Sequence, residues 1–370
     1  MVNPRERSIL WQLWTEASAS RLELARRLGL TPNVVGELVG GLLKRGLVHE
    51  GDKAVRGRGR PSIPLEIDTN RSQIIGVALQ AGWVQVARLN LRGQSRGMPQ
   101  RCVVHEPQQL VSTAARLLRK QLDDTTVAVG LSVTGFVDTE KRRMLLSSAL
   151  MGLPDADLSP IEDMLNGVPL CLQNDMQALA ARWLLTQQPL AASPAGEDVL
   201  LVLLADGQVG STMLINGRPN DGCVIGGNEL GHMRFPIPTD RCYCGATGCV
   251  ERIFSSEYAR ARLGLVGTLA SMVQQYDGRR SAMGELISLT ANALGNIVNF
   301  VRPHRLIITS PFTRQAVFAN ELLKQTRECF LPAIAGRVRI DLWEQPVATP
   351  AETAGFLPLA SMLLESWAKS

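Results

Sequence analysis

No apolar run in this chain reaches the ~18 residues needed to cross a bilayer, so no membrane-spanning helix is expected. No secretory leader is expected either: Met1-Val2-Asn3-Pro4-Arg5-Glu6-Arg7 opens a charged amphipathic stretch with no apolar core. Together these absences predict a cytoplasmic protein without membrane insertion. Cysteine is scarce, seven in 370 residues, and Cys102, Cys171, Cys223 and Cys329 stand singly in apolar stretches. Isolated thiols of this kind read as buried side chains in a reducing compartment, not as a disulfide framework. Charge of one sign is not in large excess: the net charge is +5, with 20% charged and 45% hydrophobic residues. That balance is typical of globular domains. At 370 residues the chain exceeds one ordinary core, and two or three domains are expected.

The charge excess that does exist is local. Residues 1–65 hold eleven Lys/Arg against six Asp/Glu, which accounts for the whole net charge and suggests a polyanionic partner. Three helical patterns fall in the same region. Ile9, Leu10, Leu13 and Trp14 recur at helical spacing. Ser20 offers an N-cap with Glu23 three residues on, and that pattern stops at Gly29. Thr31 and Pro32 open a third helix, whose apolar face runs through Leu38, Val39, Leu42 and Leu43. Two short helices joined by a tight turn predict a helix-turn-helix.

A strand and turn at 47–51, then Arg56-Gly57-Arg58-Gly59-Arg60-Pro61, predict a wing. Alternating Arg and Gly cannot bury a core, but it can lay guanidinium groups along phosphates or into a narrow minor groove. The competing reading is a basic interdomain linker. In such modules the N-terminal end of the second helix faces base edges. Thr31, Asn33 and Val34 are therefore candidate DNA contacts, with Asn33 suited to an adenine edge and Val34 to a thymine methyl. Lys44, Arg56, Arg58 and Arg60 are candidate backbone or groove contacts.

From Gln73 onward strands dominate. Residues 74–79 and 127–133 are buried-type strands, 84–91 alternates, and a helix is expected over 110–122. Residues 199–204 and 211–215 form a second strand pair, with a hairpin signal at Asn216-Gly217. Strands alternating with helices imply an α/β domain around a mixed sheet, and two similar strand sets imply two lobes.

One block carries metal chemistry. Glu229-Leu230-Gly231-His232 is followed by Cys242-Tyr243-Cys244-Gly245-Ala246-Thr247-Gly248-Cys249-Val250-Glu251. Three cysteines and one histidine make a tetrahedral Zn²⁺ ligand set, His232, Cys242, Cys244 and Cys249. Four protein ligands leave no open position, so the zinc would be structural. The alternative is free thiols beside a core histidine.

This block, E-x-G-H then C-x-C-G-x-x-G-C-x-E, resembles the signature of the ROK family of sugar kinases and sugar-responsive repressors. The Arg-Gly segment closing a helix-turn-helix resembles the repressor branch. The resemblance implies a winged helix-turn-helix over 1–66 and a bilobal actin-like sugar-kinase body over 72–370. Its lobes would be roughly 72–180 plus the C-terminal helix, and 181–355. It also implies a sugar site from Asn174, Asp175, Glu229, His232 and Glu251, with Asp175 at the position of the kinases' general base. Read from the residues alone, Asp175 would simply cap a helix.

Departures from the family pattern bear on activity. Thr134 replaces a proline, and Ala149 stands where sugar-binding members often carry Asn. Ala78-Leu79-Gln80-Ala81-Gly82-Trp83 replaces the D-x-G-G-T phosphate loop, and Asp206-Gly207-Gln208-Val209-Gly210 keeps two glycines of a glycine-richer second loop. Phosphate loops need those glycines for close backbone approach. The expectation is therefore a non-enzymatic, sugar- or sugar-phosphate-responsive repressor that binds operator DNA as a homodimer or tetramer. The alternatives are a ROK sugar kinase with an appended DNA-binding domain, or a repressor controlled by a phosphotransferase-system protein.

Overall fold

The computed structural model describes residues 2–52, 63–150, 153–187, 196–220, 227–279, 282–344 and 348–367. The chain divides into two compact units, Met1–Leu190 with Ala348–Ser370, and Ala191–Val347.

The first unit opens with α1 (Pro4–Glu16), β1 (Ser18–Ser20), α2 (Arg21–Leu28), α3 (Pro32–Lys44), β2 (Val48–Glu50) and β3 (Pro64–Ile67). Local sequence starts each helix. Asn3 with Glu6 and Ser20 with Glu23 form capping boxes, and Thr31 accepts from the Val34 amide with Pro32 in the first turn. Gly29 ends α2 in the left-handed conformation at φ 64°. The three strands pair antiparallel in the order β1-β3-β2. Ile9, Leu13, Leu24, Val35, Val39, Leu42 and Leu65 of this module are fully buried.

The same unit continues with β4 (Gln73–Gln80), β5 (Trp83–Leu89), β6 (Gln100–Val103), α4 (Leu110–Arg119), β7 (Thr126–Val133), β8 (Phe136–Asp138), β9 (Arg143–Leu146), β10 (Ala156–Asp157), α5 (Ser159–Asp163), β11 (Leu170–Asn174) and α6 (Asp175–Thr186). A five-stranded sheet runs β11-β7-β4-β5-β6, with β4, β7 and β11 parallel and β5 and β6 antiparallel.

The second unit holds β12 (Val199–Ala205), β13 (Gln208–Ile215), β14 (Arg218–Pro219), α7 (Val250–Ile253), α8 (Ser256–Leu263), α9 (Leu269–Gln274), α10 (Ala282–Val301), β15 (Arg305–Thr309), α11 (Ala316–Glu328), α12 (Pro332–Ala335) and β16 (Arg339–Leu342). Its sheet, β14-β13-β12-β15-β16, repeats the first pattern: an antiparallel meander joined to two further parallel strands. Leu200, Val202 and Leu204 enter a core with Leu286, Ile287 and Leu294 of α10 and with Phe254, Phe312 and Phe318. The Asn216-Gly217 turn joins β13 to β14. The β12–β13 hairpin turns instead at Asp206-Gly207, because Ala205 already pairs with Gln208. The chain then returns to the first unit as α13 (Pro350–Ala354) and α14 (Phe356–Leu363).

β4 is buried at every position because both faces of its sheet are covered. Ile75, Val77 and Leu79 pack with Leu110, Ala114 and Leu118 of α4. On the other face, Gly76 pairs in register with Gly130, and together they leave a slot for α13. A Cβ on Gly76 would stand 1.9 Å from the Ala351 carbonyl oxygen, and one on Gly130 2.0 Å from that of Ala354.

The N-terminal helices are tied to this body by Arg92. Its guanidinium donates to the carbonyls of Leu13 and Trp14 at 2.7 Å each and of Ala17 at 3.3 Å, at the C-terminal end of α1. It also lies 5.3 Å from the Trp14 ring centroid. Carbonyls at a helix C-terminus carry partial negative charge, so a cation is favoured there.

Candidate metal centre and ligand-binding residues

The cysteine-rich loop of the second unit is built by local backbone bonds. The Cys242 amide donates to the Ala246 carbonyl at 2.8 Å, the Gly245 amide to Cys242 at 2.9 Å, and the Phe235 amide to Gly248 at 2.8 Å. Gly248 has φ 80°, and a Cβ there would stand 2.1 Å from the Phe235 carbonyl oxygen, so only glycine closes the turn. The result brings one ligand atom each from His232, Cys242, Cys244 and Cys249 within 4.8 Å of one another. Cys244 and Cys249 Sγ are 3.6 Å apart, and Cys242 Sγ is 3.7 Å from His232 Nδ1. A tetrahedron with zinc–sulfur bonds of ~2.3 Å has edges of about 3.8 Å, so this donor set fits such an ion.

Electrostatics around Cys242, Cys249 and His232 disfavour charge when no metal balances it. Burial pushes the Cys242 thiol up to about 12, and burial with the adjacent Cys244 raises Cys249. Burial lowers His232 below its usual value, which keeps its imidazole neutral and able to ligate. A bound cation would displace the thiol protons. His232 presents Nδ1 to the sulfurs, and its Nε2 lies 3.0 Å from the Tyr243 hydroxyl. That contact orients a ligating histidine from its far side. His232, expected both as a zinc ligand and as a sugar contact, has its second nitrogen against Tyr243, a residue not among the expected site residues.

Glu229 stands immediately before the short 3₁₀ turn Leu230–His232. Gly231 lets this turn lie on β13, since a Cβ would meet the Val209 carbonyl oxygen at 2.2 Å. Glu251, buried on α7, has Oε2 only 3.2 Å from that same hypothetical Cβ. Glu251 and the Glu229–His232 turn are therefore immediate neighbours.

In the first unit, Asn174 and Asp175 sit where β11 passes into α6. Asn174 is the N-cap, accepting from the Gln177 amide at 3.0 Å and donating to the Gly135 carbonyl at 3.4 Å. Asp175 is thus not the cap that its residue type alone suggested, and its carboxylate is left for other contacts. It accepts from backbone amides and from the Gln80 side chain, while burial pushes its carboxyl up to about 6. Gln80, at the end of β4, was missed as a site residue because an isolated glutamine carries no pattern.

Thr134 and Ser147 hydroxyls are 2.8 Å apart, and Ser147 Oγ accepts from the Ala149 amide at 3.0 Å. Ala78 lies in β4 opposite Gln85 and is fully buried. Trp83 carries the Arg101 guanidinium 4.2 Å above its ring. Asp206 holds the start of α8 through the Ser256 amide at 2.7 Å. Of the N-terminal candidates, Thr31, Asn33 and Lys44 are exposed on α3 and Val34 is half-buried. Arg56, Arg58 and Arg60 lie outside the described residues.

Two mixed sheets of the same strand order, with a Cys₃His loop on the second, define a protein of the sugar-kinase fold class. The ROK family profile matches residues 91–342, about two thirds of the sequence. The chain belongs to the ROK family.

Among curated proteins it is 24% identical over 356 residues to the DNA-binding transcriptional repressor Mlc of Escherichia coli, covering 87% of this chain and 84% of that one. It is 28% identical over 261 residues to the N-acetyl-D-glucosamine kinase of Citrobacter koseri, covering 64% of this chain and 82% of the kinase. Among solved structures it superposes on a ROK family transcriptional regulator, a homologue of the E. coli Mlc protein. There the TM-score is 0.74 and the identity 19%, over 99% of both chains. Among the described residues, no helix is long and apolar enough to cross a membrane.

Proposed function

We propose that this chain is a sugar-responsive transcriptional repressor, not a kinase. The observation that carries the reading is the pairing of a capped three-helix, three-stranded N-terminal module with a ROK body. The kinase relative aligns to 64% of the chain, whereas the repressor relative aligns to 87%.

The module has the elements of a winged helix-turn-helix. α2 and α3 form the helical pair, β2 and β3 the strands on either side of the proposed wing, and the exposed N-terminal end of α3 presents Thr31 and Asn33, with Val34 beside them. Lys44, Arg56, Arg58 and Arg60 are the proposed contacts to phosphate or the minor groove. A two-fold dimer would match a palindromic operator.

The effector is a sugar or sugar phosphate. Its proposed contacts are Asn174, Asp175, Glu229, His232 and Glu251. His232, Cys242, Cys244 and Cys249 would hold a structural Zn²⁺ that fixes the turn carrying Glu229 and the helix carrying Glu251. The buried apolar Ala78 and the bulky Trp83, at positions where kinases of the family carry a phosphate loop, support the absence of ATP chemistry. A ligand shifts DNA affinity only through its differential affinity for two states of the protein.

The retained Asp175 and the kinase relatives favour one competing reading, a sugar kinase with an added DNA-binding module. Equilibrium binding to the duplex upstream of its own gene tests the proposal. Binding should be sequence-specific, fall steeply with salt and weaken across all sequences for Lys44→Ala. Equal affinity for unrelated DNA would count against it.

A further inference from the structure

A cavity of about 730 Å³ lies in the first unit, bordered by α1, β11 and α14. Its wall is mainly apolar, with Leu47, Leu170, Leu172, Pro358 and Met362 among its residues. Among the described residues, none of those assigned above to sugar, metal or DNA lines it.

Among the described residues, three guanidinium groups line this space, and two are neutralised. Arg45 Nη2 is 2.6 Å from Glu6 Oε1, and Arg142 makes two bonds to Glu162 at 2.7 and 3.1 Å. Arg7 differs. It is 8% exposed and donates to two carbonyl oxygens, from Nε to Ser361 at 3.2 Å and from Nη2 to Val2 at 3.5 Å. It forms no ion pair with a carboxylate of the described residues. Carbonyl dipoles orient a guanidinium but leave its charge uncompensated, and a buried charge without a counter-ion is costly.

We propose that this cavity is a second ligand site and that it takes an organic monocarboxylate with an apolar body, its carboxylate meeting Arg7. The volume and lining are those of small-molecule sites. Among the described residues, one unbalanced cation calls for one anionic charge, and exposed Glu140, also lining the cavity, opposes a dianion. The planar guanidinium fork matches a carboxylate geometrically. Arg7 belongs to α1 and its acceptor Ser361 to α14, so an occupant ties the N-terminal helix to the C-terminal one.

Calorimetric titration of the full chain with decanoate, against decanol as the uncharged probe, tests the site. Saturable binding at one decanoate per chain is expected, with decanol much weaker and with slower amide exchange in α1 and α14 on decanoate addition. Arg7→Met should weaken decanoate about 10- to 100-fold, the range for a hydrogen bond to a charged group, and leave decanol unchanged. Met362→Trp narrows the apolar end and should weaken both probes. Absence of saturable decanoate binding to the wild type at millimolar concentration would overturn the proposal. So would equal affinity in folded Arg7→Met. If Arg7→Met does not fold, unchanged decanoate affinity in Met362→Trp would overturn it as well.

Discussion

Replacing Asp175 with asparagine should stabilise the protein above pH 6 and change little below pH 4. The carboxyl of Asp175 is pushed up to about 6, chiefly by burial, against ~3.9 in an unfolded chain. A carboxyl whose folded value stands above its unfolded value holds its proton more tightly when folded. Its contribution to stability is fully present below about pH 4 and is lost as pH rises through about 6. Two pKa units correspond to about 3 kcal/mol. Asp175 is only half-buried, and solvent screening reduces this to about 1–2 kcal/mol. Asparagine keeps an oxygen to accept from the Gln80 side chain and the amides, and it carries no charge to desolvate. At about 2–4 °C per kcal/mol for a unit of this size, the variant should melt roughly 2–8 °C higher at pH 8. The gain should shrink through pH 6 and vanish near pH 4. The assay is thermal unfolding of both proteins across that pH series. A variant less stable at pH 8, or a difference independent of pH, would refute the reasoning. The same variant should lose sugar response, since the carboxylate is a proposed sugar contact.

Four further outcomes are expected. Arg92→Ala removes the cation bound to the last carbonyls of α1 and should cost about 2 kcal/mol, seen as faster amide exchange in α1 than in α4. Gly130→Ala drives a Cβ into the Ala354 carbonyl and should cost more than the ~1–3 kcal/mol usual for overpacking, measured by chemical denaturation. Gly36→Ala, with nothing within 4 Å, should instead stabilise by about 0.5–1 kcal/mol. Cys249→Ser should bring bound zinc from a single equivalent toward none by elemental analysis and lower the melting temperature by several degrees. Undiminished zinc in that variant would exclude the four-ligand site.

The parts of this molecule written in local chemistry were legible in the sequence. Ser20 with Glu23, Thr31 with Pro32, and Gly29 specify helix ends through bonds a few residues long, and the structure shows all of them. The Cys₃His cluster was equally readable, because thiols at that spacing with two glycines can converge without help from distant residues. What depended on long-range packing was not. Gly76 and Gly130 look like weak points in two strands, and only their register reveals the slot that seats α13. Arg92 reads as half of an Arg-Gly turn, yet its guanidinium binds carbonyls 75 to 79 residues earlier. Gln80 gains meaning only because β4 ends beside Asp175. Asn216-Gly217 was a correct turn signal, but the strand it led to was the short β14.

The most direct test of the repressor reading is fluorescence anisotropy of labelled operator DNA, titrated with zinc-loaded protein at fixed salt. A panel of sugars and sugar phosphates is added, and ATP consumption is followed in the same samples. One sugar or sugar phosphate should shift operator affinity at least several-fold, abolished by Asp175→Asn, with no sugar-dependent ATP turnover. Sugar-dependent ATP consumption without any change in DNA affinity would contradict it and identify the chain as a kinase.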